Sequence, residues 1–243
     1  MNQYPSYSAP QARAEVVNAF LRGVYAWMTG GLALTAALAW AAVNVPGLQN
    51  LVFVMEAGRI VAISPIIWVL FIAEIGIVFY LGARINRIQA GTATALFLVY
   101  AGINGLTLSP VLLAYTSASV AKAFLVTAGM FGAMSLWGLF TKRDLSGMGS
   151  FLMMGLFGVI IAMVVNMFLQ SSQMDFIISI LGVIIFAGLT AYDTQSLKIM
   201  GEVMHGGDAT VVRRASIMGA LRLYLDFINL FLMLLRFMGA SRD

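Results

Sequence analysis

The sequence predicts an all-α integral membrane protein, a bundle of seven transmembrane helices, and three observations carry that prediction. Of 243 residues, 61% are hydrophobic and only 10% are charged, against about 25% charged in soluble domains. The apolar residues fall in long charge-free runs, and those runs end at charges or turn residues. A helix crossing about 30 Å of hydrocarbon needs roughly 20 mainly apolar residues. Seven such runs emerge, at 24–45, 61–82, 92–115, 123–140, 149–169, 176–195 and 216–237.

Each break has a physical cause. Pro46-Gly47, the Arg84/Arg87 pair, Thr116-Ser117, Lys142-Arg143-Asp144 and Gln170-Ser171-Ser172 separate the first six runs, and leave no room for a soluble domain. The longest connection is expected from Ser196 to Ala215. Residues 1–22, rich in Tyr, Pro, Ser, Gln and Ala, are expected to form a flexible cytoplasmic tail with an interfacial turn from Ala12 to Arg22. They have no basic segment followed by a short apolar core, so no signal peptide is expected. Residues 23–243 form the transmembrane domain.

Lys and Arg orient the bundle. The side of the N-terminus collects Arg13, Arg22, Arg84, Arg87, Lys142, Arg143, Lys198, Arg213 and Arg214, while the opposite side has Arg59, Lys122, Arg236 and Arg242. The positive-inside rule then places the N-terminus in the cytoplasm and the C-terminus outside. The net charge of +4 is accounted for by this topology, and nucleic acid is not an expected partner. The lipid bilayer is. Small residues at helical spacing, Gly102 with Gly105, Gly129 with Ala133, and Gly155 with Gly158, are read as close helix contacts. The Gly-x-Phe-Gly echo at 129–132 and 155–158 is too short to establish a repeat.

Missing residues exclude whole chemistries. With no cysteine there is no disulfide, thiolate nucleophile or Cys-based metal site. The single histidine, His205, sits in a Gly-rich stretch, so there is no HExxH helix or Ser-His-Asp set. No GxSxG or GxxxxGK[ST] motif occurs. The seventh run has no lysine, which removes a retinal Schiff base.

Besides Arg236 at the end of the last run, four charged residues fall inside the runs: Glu74, Asp193, Arg222 and Asp226. A mid-bilayer charge costs at least ~2.5 kcal/mol on insertion scales, so these groups are expected to face the bundle interior, pair, or line a polar path. Arg222 and Asp226, four residues apart, can pair with each other. Asp193 lies on the preceding, antiparallel helix, and two carboxyls brought together there tend to share a proton and titrate as a pair, a pH switch. At ~1.5 Å per residue, Asp193 is about 7 Å above Lys198 and Asp226 about 18 Å above Arg214. The contact is permitted if the last helix starts nearer Gly219. Arg84 and Arg87 end the second span, where they serve as a counter-charge to the carboxyls or as snorkelling anchors. Glu74, one or two turns deeper, is either part of a polar path or a hydrogen-bonded packing residue.

Three stretches are recognisable together: Gly102-Ile103-Asn104-Gly105-Leu106-Thr107-Leu108-Ser109-Pro110, Phe186-Ala187-Gly188-Leu189-Thr190-Ala191-Tyr192-Asp193-Thr194-Gln195, and Leu223-Tyr224-Leu225-Asp226-Phe227-Ile228-Asn229-Leu230-Phe231. On these the chain resembles the Bax inhibitor-1 family, the transmembrane Bax inhibitor motif proteins, in its bacterial inner-membrane branch. The resemblance runs from the first span to near the C-terminus. It implies a seven-helix fold with the last helix central, and a pH-sensitive calcium leak channel whose sensor is an aspartate pair matching Asp193 and Asp226. An arginine ending the second span latches that pair; Arg87 matches it, with Arg84 one turn earlier as the other candidate. Asn104 and Asn229 join Glu74 as candidates for a polar path. Calcium is then a transported or regulatory ion held weakly by Asp193 and Asp226, with no other cofactor, because two carboxylates fall short of the six to eight oxygens Ca²⁺ takes.

Two other functions compete. Some bacterial relatives are linked to membrane proteases, which implies a non-transporting modulator of a protease complex or stress response. Tyr192-Asp193 followed by Asp226 also resembles an intramembrane aspartyl protease, but Leu223-Tyr224-Leu225-Asp226 stands where Gly-x-Gly-Asp is required, and no Pro-Ala-Leu follows. No enzymatic activity is expected.

Overall fold

The structure, a computed structural model, describes residues 9–57, 59–85, 87–204 and 208–240, with side chains from residue 14 onward. In chain order come α1 (Ala9–Asn44), α2 (Pro46–Val52), β1 (Phe53–Glu56), β2 (Arg59–Ile63), α3 (Ile66–Arg84), α4 (Ala90–Ala114), α5 (Ser117–Phe140), α6 (Ser146–Leu169), α7 (Ser172–Val203) and α8 (Ala209–Met238). Seven of these, α1 and α3–α8, are long and apolar enough to cross a membrane. The protein is an all-α integral membrane protein, interrupted by one short hairpin.

Three expected boundaries move. The first helix begins at Ala9, so the segment 9–22 extends the first span instead of forming a separate turn. Val17, Phe20 and Leu21 are buried there, which gives that turn of helix a core to pack on. The second span starts at Ile66, because 61–63 pair in β2. That hairpin is antiparallel, with Phe53 opposite Ile63 and a register shift at Val54/Met55. Val52 and Phe53 anchor it on Ala42. Its β-branched residues mimic a membrane run by composition, and Pro46-Gly47 opens the short helix α2 ahead of it. The long connection expected at 196–215 is mostly helix, since α7 runs to Val203 and α8 starts at Ala209. His205 lies outside the described residues.

The helix ends follow the sequence closely. The Thr116 hydroxyl accepts from the Ser119 amide at 3.2 Å and Ser171 from the Met174 amide at 3.3 Å. Asp208 accepts from the Thr210 amide at 3.1 Å, so α5, α7 and α8 each begin on a capping oxygen. Gln170 closes α6 in the left-handed region at φ 51°, as a C-terminal turn requires. Asp144, ahead of α6, accepts from the Ser146 amide at 2.9 Å. Hydrogen bonds from Ser146 hold its carboxyl below the usual range.

Helix α8 is the centre. It packs against α1, α4, α5 and α7, whereas α3 packs mainly on α4, and α6 on α7. Two-thirds of its apolar window is buried, against 11% for α3 and α6, which turn Phe79, Phe151 and Phe168 outward. In lipid such exposure is expected, because helices gain little hydrophobic energy by meeting and associate through close packing. Of the small residues read as contacts, Gly105 and Gly102 lie against α1. A Cβ at Gly105 would come within 2.5 Å of the Thr35 carbonyl, and one at Gly102 within 3.1 Å of Leu38. Gly155 faces Ile185, but Gly129 and Gly158 face open space. The tightest approach is one the spacing does not mark: a Cβ at Gly138 would lie 2.3 Å from the Ala191 carbonyl, so α5 and α7 touch backbone to backbone there.

Gly138→Val is therefore expected to push α5 off α7 and cost about 1–3 kcal/mol, the usual range for overpacking. Gly129→Ala should be neutral or slightly stabilising, since Ala is the better helix former. Thermal unfolding of the detergent-solubilised protein separates the two. Equal melting temperatures for both variants would contradict the close α5–α7 contact.

Candidate functional site

Two buried polar sites lie on opposite faces of α8, because Tyr224 and Asp226 are two residues apart and thus about 200° apart around the helix. The first faces α7. That helix runs antiparallel to α8, and its register is set by glycines: a side chain at Gly219 would strike Leu197, and one at Gly182 would strike Met233. These pairs bracket Asp193 and Asp226, and bring the two carboxyls close enough to act on each other. Asp226 is 5% exposed; Asp193 is half-buried. Arg222, one turn before Asp226, acts electrostatically on both.

Asp226 Oδ2 is buried with no donor. Ionised carboxylates only accept, so a hydrogen bond between Asp193 and Asp226 requires a proton on one of them. The sequence-level depth estimate left the two carboxyls at different levels because it measured from Lys198 and Arg214 as if both sat at the membrane edge. Lys198 Nζ instead donates to the Leu139 carbonyl at 2.7 Å, capping α5, and α7 continues past it. A direct Arg222–Asp226 ion pair does not form either. Arg236 does pair directly with Asp175, at 3.2 Å, near the far ends of α7 and α8.

Arg84 and Arg87 are exposed at the end of α3. Arg214 Nη1 donates to the Ile88 carbonyl at 3.2 Å, which puts this loop beside the start of α8. Arg222 lies eight residues on, about 12 Å along the helix. In this conformation Arg222 is the cation beside the pair, and neither Arg84 nor Arg87 touches it.

The second site faces α1 and α4, and it joins two of the three polar-path candidates. Glu74, 6% exposed, accepts from the Thr107 hydroxyl at 2.6 Å and from Asn104 Nδ2 at 3.3 Å. Asn104 Oδ1 in turn accepts from the Tyr224 hydroxyl at 2.9 Å. Tyr224 also meets Thr35 Oγ1 at 2.6 Å, and its ring takes Phe97 and Tyr100 edge-on, at 5.9 Å and 5.7 Å. The chain of bonds thus crosses α3, α4, α8 and α1. Asn229 stays outside it, donating within its own helix to the Leu225 carbonyl at 2.8 Å. The polar path therefore ends at Tyr224 and Thr35, and the body of α8 separates it from the aspartates.

Sequence reasoning missed Tyr224, Thr35 and Gln195. Gln195 Oε1 accepts from the Leu145 amide at 2.9 Å and its Nε2 donates to the Arg143 carbonyl at 2.8 Å, fixing the α5–α6 loop onto α7. Their shared signal is a neutral polar side chain inside an apolar run, where charge is the more conspicuous mark. No group of three or more His, Cys, Asp or Glu that could hold a metal occurs among the described residues, so Asp193 and Asp226 are a two-carboxylate site.

Residues 17–243 match the family model described as inhibitor of apoptosis-promoting Bax1. The chain is 49% identical to the inner membrane protein YbhL of Escherichia coli strain K12 over 243 residues, all of both chains. It is 42% identical to an uncharacterized protein of Caulobacter vibrioides over 241 residues, 97% of this chain and 96% of that one. With an uncharacterized protein of Borreliella burgdorferi it shares 41% identity over 235 residues, 96% of this chain and 97% of the other.

Tyr224→Phe removes one hydroxyl from a buried chain and leaves Thr35 and Asn104 each short of a partner. The expected cost is about 1–3 kcal/mol. Tyr25→Phe, whose hydroxyl meets Thr194 at 3.4 Å, should cost less. Paired melting curves check the order, and the reverse order would contradict Tyr224 as the hub.

Proposed function

The chain belongs to the Bax inhibitor-1 family, and from that premise we propose that it is a pH-sensitive cation leak channel, gated by Asp193 and Asp226 and passing Ca²⁺. The observation that carries this reading is the buried Asp226 oxygen without a donor, facing a second carboxyl across the α7–α8 contact. The gate follows from charge. With one shared proton the two carboxyls and Arg222 are electrically neutral together, the arrangement a poorly solvated site favours. Loss of that proton leaves one net negative charge inside the membrane. That charge draws a cation, either Ca²⁺ or an arginine ending α3, Arg87 or Arg84.

Two carboxylates need water or carbonyl oxygens to complete a Ca²⁺ shell, so binding is weak and exchange fast, as a leak requires. Glu74 and Asn104 supply a separate polar crossing on the other face of α8. The protein works as a channel and not as an enzyme, in a membrane of the kind named for the Escherichia coli relative, the inner membrane. Its N-terminus is cytoplasmic, by the distribution of Lys and Arg.

Reconstitution into liposomes loaded with a calcium indicator tests this directly. Wild-type flux should change across pH ~5 to 8, and in Asp193→Asn and Asp226→Asn its pH ratio should flatten to within about two-fold. Absent flux, or one profile shared by all three proteins, would overturn the channel reading in favour of a non-transporting modulator of a membrane protease.

A further inference from the structure

The body of the bundle has an open seam. Helices α1 and α5 both pack on α8 without forming a substantial contact with each other. Between them run two adjoining cavities of about 810 and 480 Å³, which share Leu32, Ala36, Phe124 and Phe227. From Tyr25 to Asn44 the seam follows α1 for about 28 Å, close to the thickness of a bilayer's hydrocarbon core. Alanines form much of its walls, Ala36 and Ala39 on α1 and Ala121 and Ala128 on α5, and Phe227, Ile228 and Phe231 of α8 form its floor. Trp40, 61% exposed, and Leu125, 70% exposed, mark its open side.

We propose that this seam is a phospholipid site, holding one acyl chain between α1 and α5 with the headgroup phosphate at Lys122. Three observations select that occupant. The seam opens sideways on helices long and apolar enough to cross a bilayer, so lipid chains are the solvent at its mouth. An empty apolar slot forfeits dispersion contacts on both walls, and water finds few partners in it. A partner helix is excluded by width at one end. Tyr25 of α1 and Ser135 of α5 both bond Thr194, each at 3.4 Å, so their oxygens lie within about 7 Å, less than the 10–12 Å diameter of a helix. A flexible chain fits where a helix does not.

Charge marks the headgroup end. Lys122 is exposed between the seam residues Ala121 and Leu125, at the same end as Trp40 and Asn44. Tryptophan favours the headgroup level of a bilayer, and an ammonium beside it is complementary to a phosphate. The floor residue Phe227 follows Asp226 directly, so a chain seated in the seam lies against the helix that carries Asp226, and the seam's wall includes Thr35, the partner of Tyr224. The inference stands apart from the channel reading.

The full-length protein in nanodiscs that contain a small fraction of phosphatidylglycerol with a diazirine in one acyl chain provides the test. After illumination, peptide mapping should place the label on seam residues of α1 and α5 well above the level on Phe157 and Phe168 of α6, which report ordinary surrounding lipid. Ala36→Phe and Ala121→Phe, on opposite walls, should each reduce seam labelling several-fold and leave α6 labelling unchanged, which also shows that the variant is folded. Lys122→Gln should weaken it. Seam labelling no higher than on α6, labelling that survives both phenylalanine variants, or crosslinks to a second copy in place of lipid would overturn the site.

Discussion

Helix α8 buries a tyrosine hydroxyl and an aspartate inside a medium that offers them no water, and the arrangement of the other helices follows from satisfying both. The cost of an unpartnered polar group in hydrocarbon is several kcal/mol, so each side of α8 must present a partner at the right depth. On the Tyr224 side, Thr35 and Asn104 meet the hydroxyl, which ties α1 and α4 to α8 at one level. Asn104 then reaches Glu74 and so ties α3, which packs mainly on α4, into the same chain of bonds. On the Asp226 side the partner is Asp193, itself an acceptor. One face of the central helix is therefore fully satisfied by the protein, and the other is satisfied only if a proton or a cation is supplied.

That asymmetry separates structure from function in the same helix. Glu74 meets the expectation of a hydrogen-bonded buried carboxyl: both of its oxygens have donors, Thr107 and Asn104. Asp226 has an oxygen with none. A carboxyl whose lone pairs are filled by neutral donors has a defined resting arrangement, whereas one that faces another carboxyl changes arrangement with each proton it binds. The proposed gate therefore belongs on the α7 side, and the Glu74 chain holds the opposite side still while the gate changes.

Much of this was legible in the sequence, and the failures have common causes. The seven runs, the breaks at Thr116-Ser117 and Gln170-Ser171-Ser172, and the expectation that Glu74, Asp193 and Asp226 face the bundle interior all rest on local rules: hydrophobic length, turn-forming residues, the cost of a buried charge. The end of the hairpin, 61–63, falls in the second run because Val61, Ala62 and Ile63 are as apolar as a span and differ from one only in lying in a strand. The helical content of 196–215 was hidden because charge was taken as the end of a helix. Lys198 and Arg214 instead stay on their helices and bond carbonyls of neighbouring segments. Depth counted from such residues goes astray, although the pairing of Asp193 with Asp226 inferred from the family motifs does not depend on it. Neutral polar residues were the larger omission: Tyr224, Thr35 and Gln195 hold helices together as firmly as any charge here, and carry none.

Arg222 changes what a latch has to do. Were the aspartate pair alone, losing its last proton would leave two negative charges in a buried site, and any nearby arginine would be captured strongly. Arg222 lies one helical turn from Asp226 on the same helix and acts on both carboxyls, so it lowers the charge of the deprotonated site from two to one. In the proposed gate the arginines at the end of α3 then compete for a single remaining charge, against the water at their own exposed positions. Such a site answers to pH and to cation concentration together, with Arg222 on α8 setting the charge that either must balance.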